Sequence, residues 1–388
     1  MREHRDRVQK GAHVFSVEML PAQQGDALWI EYGVPGQPHR VLIDCGTPPT
    51  YEVIRQRVER LAPADRRFDL LIVTHIDTDH IGGALKLLAD RSLGLSFEDV
   101  WFNDWDCLPP CPDPARGPID GAIMGRILES MEVVPNRLVP GGVPVVPGQG
   151  PLPAATLSGG MVLTVLSPGP AELAELRCTW DRVLRDAGLD PAGPSADELA
   201  ERARRKGVEI YRGPSVSDVE ALAASRFVRD RSPANGSTIA VLAEYEGRSC
   251  LLAGDGFPDV IAGSLARLRR DRGVGSMAVD AVKLPHHGSR RNVSVELLRS
   301  VGCRTFLFST DGSVFGHPDP ESVARVIRYG GPAPVLVFNY RSAQNRIWDD
   351  PRLKARYGYE ARYPDQAIPG LRLDLHELPA AHDAQQGT

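Results

Sequence analysis

Four side chains that can bind a metal ion lie within six residues: His75, Asp77, Asp79 and His80. They directly follow residues 68–74, whose continuous apolar and β-branched pattern predicts a buried strand. Imidazole and carboxylate together suit Zn²⁺, Mn²⁺ or Fe²⁺, and the absence of cysteine from the segment argues against a structural zinc site. In the alternative interpretation Asp77 or Asp79 only caps the next helix, but that role does not require both histidines.

A second group of such side chains lies in the far half of the chain, because no histidine occurs between His80 and His286. His286 and His287 follow another predicted buried strand at residues 279–284. Between the two groups, Asp255 ends a strand pattern and is flanked by glycines. An isolated Gly-Asp-Gly segment is more typical of a tight turn, but a buried carboxylate is costly unless it is paired or bound to a metal. Beside two strand ends that carry histidines, Asp255 is therefore predicted to be a bridging metal ligand.

Short strand patterns separated by Gly and Pro occupy both ends of the chain, and helical patterns lie between them. This order predicts two mixed sheets flanked by helices. We predict one domain over residues 12–345, a helical and loop insertion within it at about 107–230, and a C-terminal tail at 346–388. The charged segment 171–229, which includes the helical pattern of Ala196–Lys206, is expected to lie over the core rather than to form a second domain.

The chain has 388 residues, a formal net charge of −5 and a hydrophobic share of 42%, which are ordinary values for a globular protein. The mild acidity argues against a surface that attracts nucleic acid everywhere, although a local basic patch is compatible with it. No apolar run approaches the roughly 18 residues of a membrane-spanning helix, and the charged N-terminus lacks a signal-peptide pattern. The six cysteines are predicted to be reduced thiols, so the expectation is a cytoplasmic protein with no membrane segment.

Five stretches, in chain order, resemble sequence motifs of the metallo-β-lactamase-fold hydrolases. Within that superfamily, the sequence is most similar to the soluble domain of the ComEC-type DNA-uptake proteins. The stretches are Val17–Ala27 with its Gln24-Gly25-Asp26 turn, Leu42–Gly46, His75–His80, Asn235–Leu242 followed by Leu252–Asp255, and Pro285–Ser289 followed by Gly316–Pro320. The ordered set spans residues 14–330 and is specific for the fold. Asp26 is interpreted as a structural residue of its turn.

The resemblance implies an αββα sandwich that holds a divalent metal ion, Zn²⁺ or Mn²⁺, with one firm site and a looser second site. The implied ligands are His75, Asp77, Asp79, His80, Asp255 and one of His286 and His287, with His286 assigned. Asp77 replaces the second histidine of the superfamily signature, and the histidine of its third motif has no counterpart here. Both departures weaken the position of His75 and Asp77, where Asp104 or Asp106 is a candidate extra ligand. The carboxylate-rich set accepts Mn²⁺ more readily than an all-histidine site would.

The implied reaction is hydrolysis by a water molecule that the metal activates, because a bound metal lowers the pKa of water from about 15.7 towards about 7. Asp79 would orient this nucleophile. His287 or His317 would protonate the leaving group. For His317, a plain turn role in Gly-His-Pro is equally compatible with the sequence.

Basic residues beside the predicted metal site favour a phosphodiester substrate, since metal ions and guanidinium groups stabilise charge on a phosphoryl group. Arg290 and Arg291 are the candidate contacts, together with Ser289 and Asn235, although Asn235 could instead orient a ligand. The basic run at 202–206 is a weaker candidate, because such runs are more often solvated helix faces. We therefore predict a phosphodiesterase or nuclease for nucleic acid or nucleotides, with single-stranded DNA or RNA as the candidate substrate.

Two other functions are compatible with parts of the sequence. A thioester or lactone hydrolase of the same fold is one, but those groups usually retain the full histidine signature. A non-catalytic sandwich that only binds a ligand or partner is the other, but such a scaffold has no need for so many metal-competent side chains.

Overall fold

The computed structural model describes residues 13–108, 119–186, 218–365 and 369–379. Within these residues, two β-sheets pack face to face, and helices cover their outer faces. The predicted sandwich of two mixed sheets flanked by helices is therefore confirmed.

The first sheet is formed by β1 (Val14–Met19), β2 (Leu28–Val34), β3 (Gln37–Ile43), β4 (Arg67–Ile72), β5 (Ser96–Trp101) and β14 (Leu371–Asp374). Its spatial order is β14-β1-β2-β3-β4-β5. The strands from β14 to β3 are antiparallel, whereas β3, β4 and β5 run parallel. In β2, Ile30 and Tyr32 pack between the sheets while Trp29 packs under the helices, as expected when successive side chains point to opposite faces.

The second sheet is formed by β6 (Ala154–Thr156), β7 (Val162–Ser167), β8 (Ala240–Tyr245), β9 (Arg248–Leu252), β10 (Ala281–Lys283), β11 (Thr305–Phe308), β12 (Val335–Phe338) and β13 (Glu360–Arg362). Its spatial order is β13-β12-β11-β10-β9-β8-β7-β6. The strands from β6 to β9 are antiparallel and those from β9 to β13 are parallel. Every residue of β10, β11 and β12 is buried, as is typical of parallel strands covered on both faces.

The helices of the described residues are α1 (Thr50–Glu59), α2 (Thr78–Ala89), α3 (Ile119–Ser130), α4 (Pro170–Asp186), α5 (Val219–Ala223), α6 (Pro233–Gly236), α7 (Pro258–Asp271), α8 (Val295–Ser300), α9 (Pro320–Tyr329) and α10 (Pro351–Tyr357). Apolar side chains of α1 to α4 pack on the first sheet around Phe68. Those of α7 to α9 pack on the second sheet. In the described part of the chain, no helix has the length and apolar character to span a membrane.

Two glycines allow the backbone segments around the predicted metal site to approach closely. A Cβ atom at Gly83 of α2 would lie 2.1 Å from the carbonyl oxygen of Cys45, and one at Gly25 would lie 1.8 Å from that of Asp79. A larger residue fits at neither position. The β1–β2 connection, the loop after β3 and the first two turns of α2 are therefore held against one another.

The predicted domain bounds stay a prediction, and strands of both sheets lie within the predicted insertion and tail. The predicted insertion 107–230 supplies β6 and β7 to the second sheet, in addition to α3, α4 and α5. The predicted tail 346–388 supplies β13 and β14, the outermost strands of the two sheets. The predicted helix Ala196–Lys206 and the basic run at 202–206 lie outside the described residues.

The prediction of six reduced cysteines is only partly correct. Cys45, Cys250 and Cys303 are free thiols, but Cys178 is disulfide-bonded. Since disulfides are typical of oxidising compartments, Cys178 does not support the predicted cytoplasmic location, which stays a prediction.

Candidate metal centre

The loops after four strands bring Asp44 and several predicted ligands to one edge of the sandwich. Asp44 follows β3 and His75 follows β4 in the first sheet, while Asp255 follows β9 and the pair His286 and His287 follows β10 in the second. The two strands of each sheet are parallel neighbours, so their carboxyl ends lie side by side. Side chains from both sheets therefore meet at this edge.

Four imidazole rings converge on one carboxylate oxygen, Asp255 Oδ2. Its distances to the Nε2 atoms of His80, His287, His286 and His75 are 3.3, 3.6, 3.7 and 3.9 Å. The Nε2 atoms of His80 and His287, which are 207 positions apart in the chain, are 3.2 Å from each other. The carboxylate of Asp255 is buried, as are all of these rings except that of His286, which is 22% exposed. The structure thus brings the two predicted histidine groups and the predicted bridging carboxylate together.

Asp44 orients two of the four rings. Its Oδ2 accepts hydrogen bonds of 2.7 Å from His80 Nδ1 and 2.7 Å from the Thr74 hydroxyl, and its Oδ1 accepts one of 2.8 Å from the Thr74 N–H. Because the Thr74 hydroxyl hydrogen is used in this way, Thr74 Oγ1 accepts from His75 Nδ1 at 3.0 Å. Both rings consequently direct Nε2 towards Asp255.

His287 is oriented from the opposite side. Its Nδ1 lies 2.9 Å from the carbonyl oxygen of Ser309 and 3.2 Å from Asp26 Oδ1. A carbonyl oxygen can only accept, so Nδ1 carries a hydrogen and the neutral ring presents its lone pair on Nε2.

His286 is held by amide side chains. Its Nδ1 lies 3.0 Å from Asn292 Oδ1 and 3.3 Å from Asn235 Nδ2. Both amide nitrogens donate to Asp230 Oδ2, at 3.2 Å from Asn292 and 2.6 Å from Asn235, which leaves Asn292 Oδ1 as the acceptor for His286. Asn235 therefore lies behind His286, a position that favours its predicted role in orienting a ligand over its predicted role in substrate binding.

The residues of this cluster fit a divalent cation. Each Nδ1 faces an acceptor, so four Nε2 lone pairs face Asp255, and two lone pairs 3.2 Å apart repel each other unless a positive charge lies near both. His75 Nε2 and Asp255 Oδ1 are buried without a hydrogen-bond partner, whereas buried polar atoms are ordinarily satisfied. Imidazole nitrogen with carboxylate oxygen is the donor set of zinc and manganese sites.

In the absence of a cation, protons on the histidines balance the negative charge of the carboxylates. Burial alone would lower the pKa of His287, but the carboxylates of Asp255 and Asp26 outweigh it and raise that pKa to about 9. Burial would also lower the pKa of His80, which Asp255 and Asp44 hold well above its usual value. A cation that binds here must therefore displace protons.

Three residues of the centre have a left-handed backbone. The φ angles of His286, His287 and Asp44 are 50°, 55° and 56°, in a region that residues with a Cβ atom rarely adopt. Two consecutive left-handed residues turn the chain sharply after β10, so both rings face Asp255. Backbone strain of this kind persists where the surrounding structure enforces it, and it concentrates at functional sites.

The predicted aspartate ligands fall on two sides of Asp255. Asp79 Oδ2 lies 3.6 Å from His287 Nε2, and its side chain is 16% exposed. Asp77 Oδ2 lies 3.6 Å from His75 Nε2, and its side chain is 43% exposed. The group on the Asp79 side is thus more enclosed than the group on the Asp77 side.

The two predicted proton donors have different surroundings. His287 is fully buried among the metal-competent side chains, a position that favours a role as metal ligand over its predicted role as proton donor. His317 lies towards the edge of the cluster, with its ring centroid 5.3 Å from that of His286 and its Nδ1 3.6 Å from Asp319 Oδ2. Burial lowers the pKa of His317, so its ring is largely neutral at pH 7.

Among the predicted substrate contacts, only the two arginines expose their side chains. Arg290 is 57% exposed and forms a 2.9 Å ion pair with Glu321, and Arg291 is also exposed. Ser289 is buried, and its hydroxyl oxygen accepts from the Arg291 N–H at 3.3 Å. Ser289 therefore shapes the loop that carries the arginines.

Asp104, a candidate extra ligand, accepts a 2.7 Å hydrogen bond from the Trp105 N–H and packs against Gly125 of α3. The side chain of Asp106, the other candidate, lies outside the described part of the structure.

Sequence reasoning underestimated Asp26. Its side chain is 1% exposed and forms an ion pair with Lys283, whose side chain is also fully buried. Asp26, His80, Asp255 and His287 each place a ligand-capable atom within 4.8 Å of the others. A signal was available, because a lysine inside a strand predicted to be buried requires a buried acid as its partner.

Comparison with known proteins agrees with this architecture. Residues 21–94 match the sequence model of the Metallo-beta-lactamase superfamily, a region that includes Asp26, Asp44 and the segment His75–His80. The two mixed sheets flanked by helices are consistent with the metallo-β-lactamase fold. No curated protein matches the chain.

Similar solved structures include the metallo-beta-lactamase fold protein YhfI from Bacillus subtilis, with 10% identity and a TM-score of 0.38 over 94% of this chain and 100% of that one. They also include a mutant of CmlA beta-hydroxylase, with 12% identity and a TM-score of 0.36 over 93% of this chain and 54% of that one.

Proposed function

We propose that the chain is a metal-dependent hydrolase that cleaves phosphodiester bonds in nucleic acid or nucleotides. The observation that supports this proposal most strongly is the convergence of four imidazole Nε2 atoms on Asp255 Oδ2, at 3.3 to 3.9 Å. A scaffold that only binds a partner has no use for four rings oriented in this way.

The enclosed group of Asp79, His80, His287 and Asp255 would hold one cation, and His75 and Asp77 would hold a second together with Asp255. A divalent cation in such a site lowers the pKa of a water ligand towards about 7 and stabilises negative charge on a phosphoryl group. The chain's own residues supply orientation. His80 and His287 hold the pKa of Asp79 down to about 2 against the effect of burial. Asp79 is therefore ionised at neutral pH and can accept a hydrogen bond from the attacking water.

The phosphodiester assignment rests on the surroundings of this centre and on the resemblance to ComEC-type nuclease domains. Arg290 and Arg291 follow the ligand-bearing segment Pro285–Gly288 and expose their side chains. Phe315 is the one aromatic residue among the large apolar side chains that the described part of the structure exposes, and it is 53% exposed. Its ring centroid lies 6.1 Å from that of His317. Guanidinium groups and an exposed ring are the contacts that single-stranded nucleic acid uses.

The test is hydrolysis of bis-p-nitrophenyl phosphate and of single-stranded DNA by chelator-treated protein, with and without added Mn²⁺ or Zn²⁺. We expect cleavage only when a cation is added. Hydrolysis of a thioester without cleavage of either phosphodiester would contradict the proposed substrate class, and failure to bind any cation would contradict the proposed hydrolase.

Replacing Arg290 and Arg291 together with alanine is expected to raise KM for single-stranded DNA and to weaken its salt dependence. Loss of two phosphate contacts reduces the slope of log affinity against log salt by up to about 1.4. The matched control is the double change Arg269→Ala and Arg270→Ala at the exposed end of α7, which removes the same charge elsewhere. An equal salt slope in both variants would show that Arg290 and Arg291 do not contact the substrate.

The metal-free protein is expected to lose stability as the pH rises from about 6 to about 9. The pKa of His287 lies near 9 in the folded state, above its ordinary value of 6.5, so the folded protein holds this proton more tightly than the unfolded chain. The stabilisation is complete below the unfolded pKa and disappears as the pH rises through the folded pKa. Thermal melts of chelator-treated protein should show Tm falling by a few degrees, and added Zn²⁺ should remove the trend. A Tm that rises over this range without a cation would contradict it.

A further inference from the structure

A fully buried ion pair joins the two sheets directly beneath the candidate metal centre. Asp26 lies in the β1–β2 connection of the first sheet, and Lys283 is the last residue of β10 in the second. Their side chains are 1% and 0% exposed. Lysine is almost never buried to this extent unless it is paired.

Stability alone does not account for this pair. Removing two charges from water is costly, and replacing a buried ion pair with apolar residues of similar volume is often neutral or stabilising. The contacts of the pair indicate a different role. Asp26 Oδ1 lies 3.2 Å from His287 Nδ1, and Lys283 Nζ donates to the carbonyl oxygen of Gly254 at 3.4 Å. The pair therefore touches both His287 and the loop that carries Asp255.

The charge of Lys283 also restricts where a cation can bind. Asp26 is close enough to His80, Asp255 and His287 to act as a ligand itself. The Lys283 ammonium pairs with Asp26 Oδ2, however, and like charges repel strongly in a buried site. A divalent cation is consequently excluded from the Asp26 side of His287 and directed to the Nε2 side.

We infer that Asp26 and Lys283 form a positioning pair, which orients His287 and keeps Asp26 from becoming a metal ligand. This inference rests on the proposed cation site. The pair acts through His287 and does not touch the cation.

The experiment measures Co²⁺ affinity and the visible absorption spectrum of bound Co²⁺, which reports its ligands and geometry. The test variant carries Asp26→Leu with Lys283→Met and so removes both charges at similar volume. The control variant carries Glu31→Leu with Arg40→Met, which removes a second largely buried ion pair, with side chains 12% and 8% exposed, between β2 and β3. Melting of the metal-free proteins shows whether each variant is folded.

We expect the folded test variant to bind Co²⁺ about 10- to 100-fold more weakly than the wild type, with an altered spectrum. The control should keep the wild-type affinity and spectrum, whatever its Tm. The single change Lys283→Met, which leaves Asp26 free to bind metal, should alter the spectrum more than the double change does.

Wild-type affinity and spectrum in the folded test variant would overturn the inference and leave the proposed function intact. A wild-type protein that binds no Co²⁺ would contradict the proposed function and the inference with it. Should the apolar double variant not fold, Asp26→Asn with Lys283→Gln, which removes both charges but keeps polar side chains of similar size, is judged by the same criteria.

Discussion

Alanine at position 255 is expected to abolish cation binding and phosphodiester hydrolysis together. Asp255 Oδ2 lies within 3.9 Å of all four imidazole Nε2 atoms, so both proposed cation positions lose their shared ligand. A cation supplies several kcal/mol of transition-state stabilisation, and each 1.36 kcal/mol is a factor of ten in rate. We therefore expect hydrolysis to fall by roughly a thousandfold or more. Metal content after dialysis and the rate on bis-p-nitrophenyl phosphate measure the two effects.

The matched control for this variant is Asp259→Ala. Asp259 lies only four residues further along, in the first turn of α7, where it is half exposed and forms an ion pair with Arg229. Its loss should change the rate by less than about twofold, since exposed ion pairs contribute little. Retention of bound metal by the Asp255→Ala protein would show that Asp255 is not the bridging ligand.

The change Asp44→Asn is expected to weaken cation binding by about 10- to 100-fold, although Asp44 itself touches no cation. The asparagine keeps the shape of the side chain but replaces one acceptor oxygen with an NH₂ donor. The two oxygens of Asp44 accept three hydrogen bonds, from the Thr74 N–H, the Thr74 hydroxyl and His80 Nδ1. In one orientation the amide NH₂ group faces His80 Nδ1 and the Thr74 hydroxyl, and in the other it faces the Thr74 N–H. Each orientation therefore breaks part of the network that holds the His80 and His75 rings. Calorimetric titration with Zn²⁺ measures the loss.

Asp99→Asn separates this effect from general destabilisation. Asp99 is also a buried carboxylate of the first sheet, and it accepts hydrogen bonds from the backbone N–H groups of Val100, Arg137 and Leu138. It lies on β5, away from the histidines, so its substitution should lower Tm without changing the affinity for Zn²⁺. Equal losses of affinity in the two variants would mean that Asp44 acts only through stability.

The parts of the fold that the sequence predicted are those with dense, continuous patterns. The strands before His75 and before His286 are almost wholly buried, so apolar residues dominate both segments in spite of Asp69 and Lys283. The outer strands were missed for the opposite reason. The residues Glu360, Ala361 and Arg362 of β13 are exposed or only partly buried, and a strand that packs on one side at the border of a sheet carries little hydrophobic signal.

In the candidate site, too, the sequence predicted the residues of contiguous motifs and missed the contacts that depend on the three-dimensional fold. Contiguous motifs predicted His75–His80 and His286–His287, and the strand end predicted Asp255. The pairing of Asp26 with Lys283 could not be predicted in this way, because it depends on how the two sheets stack. The convergence of both His286 and His287 on one oxygen also depends on their left-handed backbone, which residues with a Cβ atom rarely adopt.

The positions of β13 and β14 have a consequence for any shortened form of the protein. If the chain were cut after residue 345, the unpaired peptide groups of β12 and β1 would lie bare along the sides of the two sheets, and such surfaces recruit strands from other molecules. The shortened polypeptide would then be prone to aggregate through edge-to-edge pairing. β13 and β14 thus protect one edge of each sheet from pairing with other molecules, although neither strand carries a residue of the candidate metal centre.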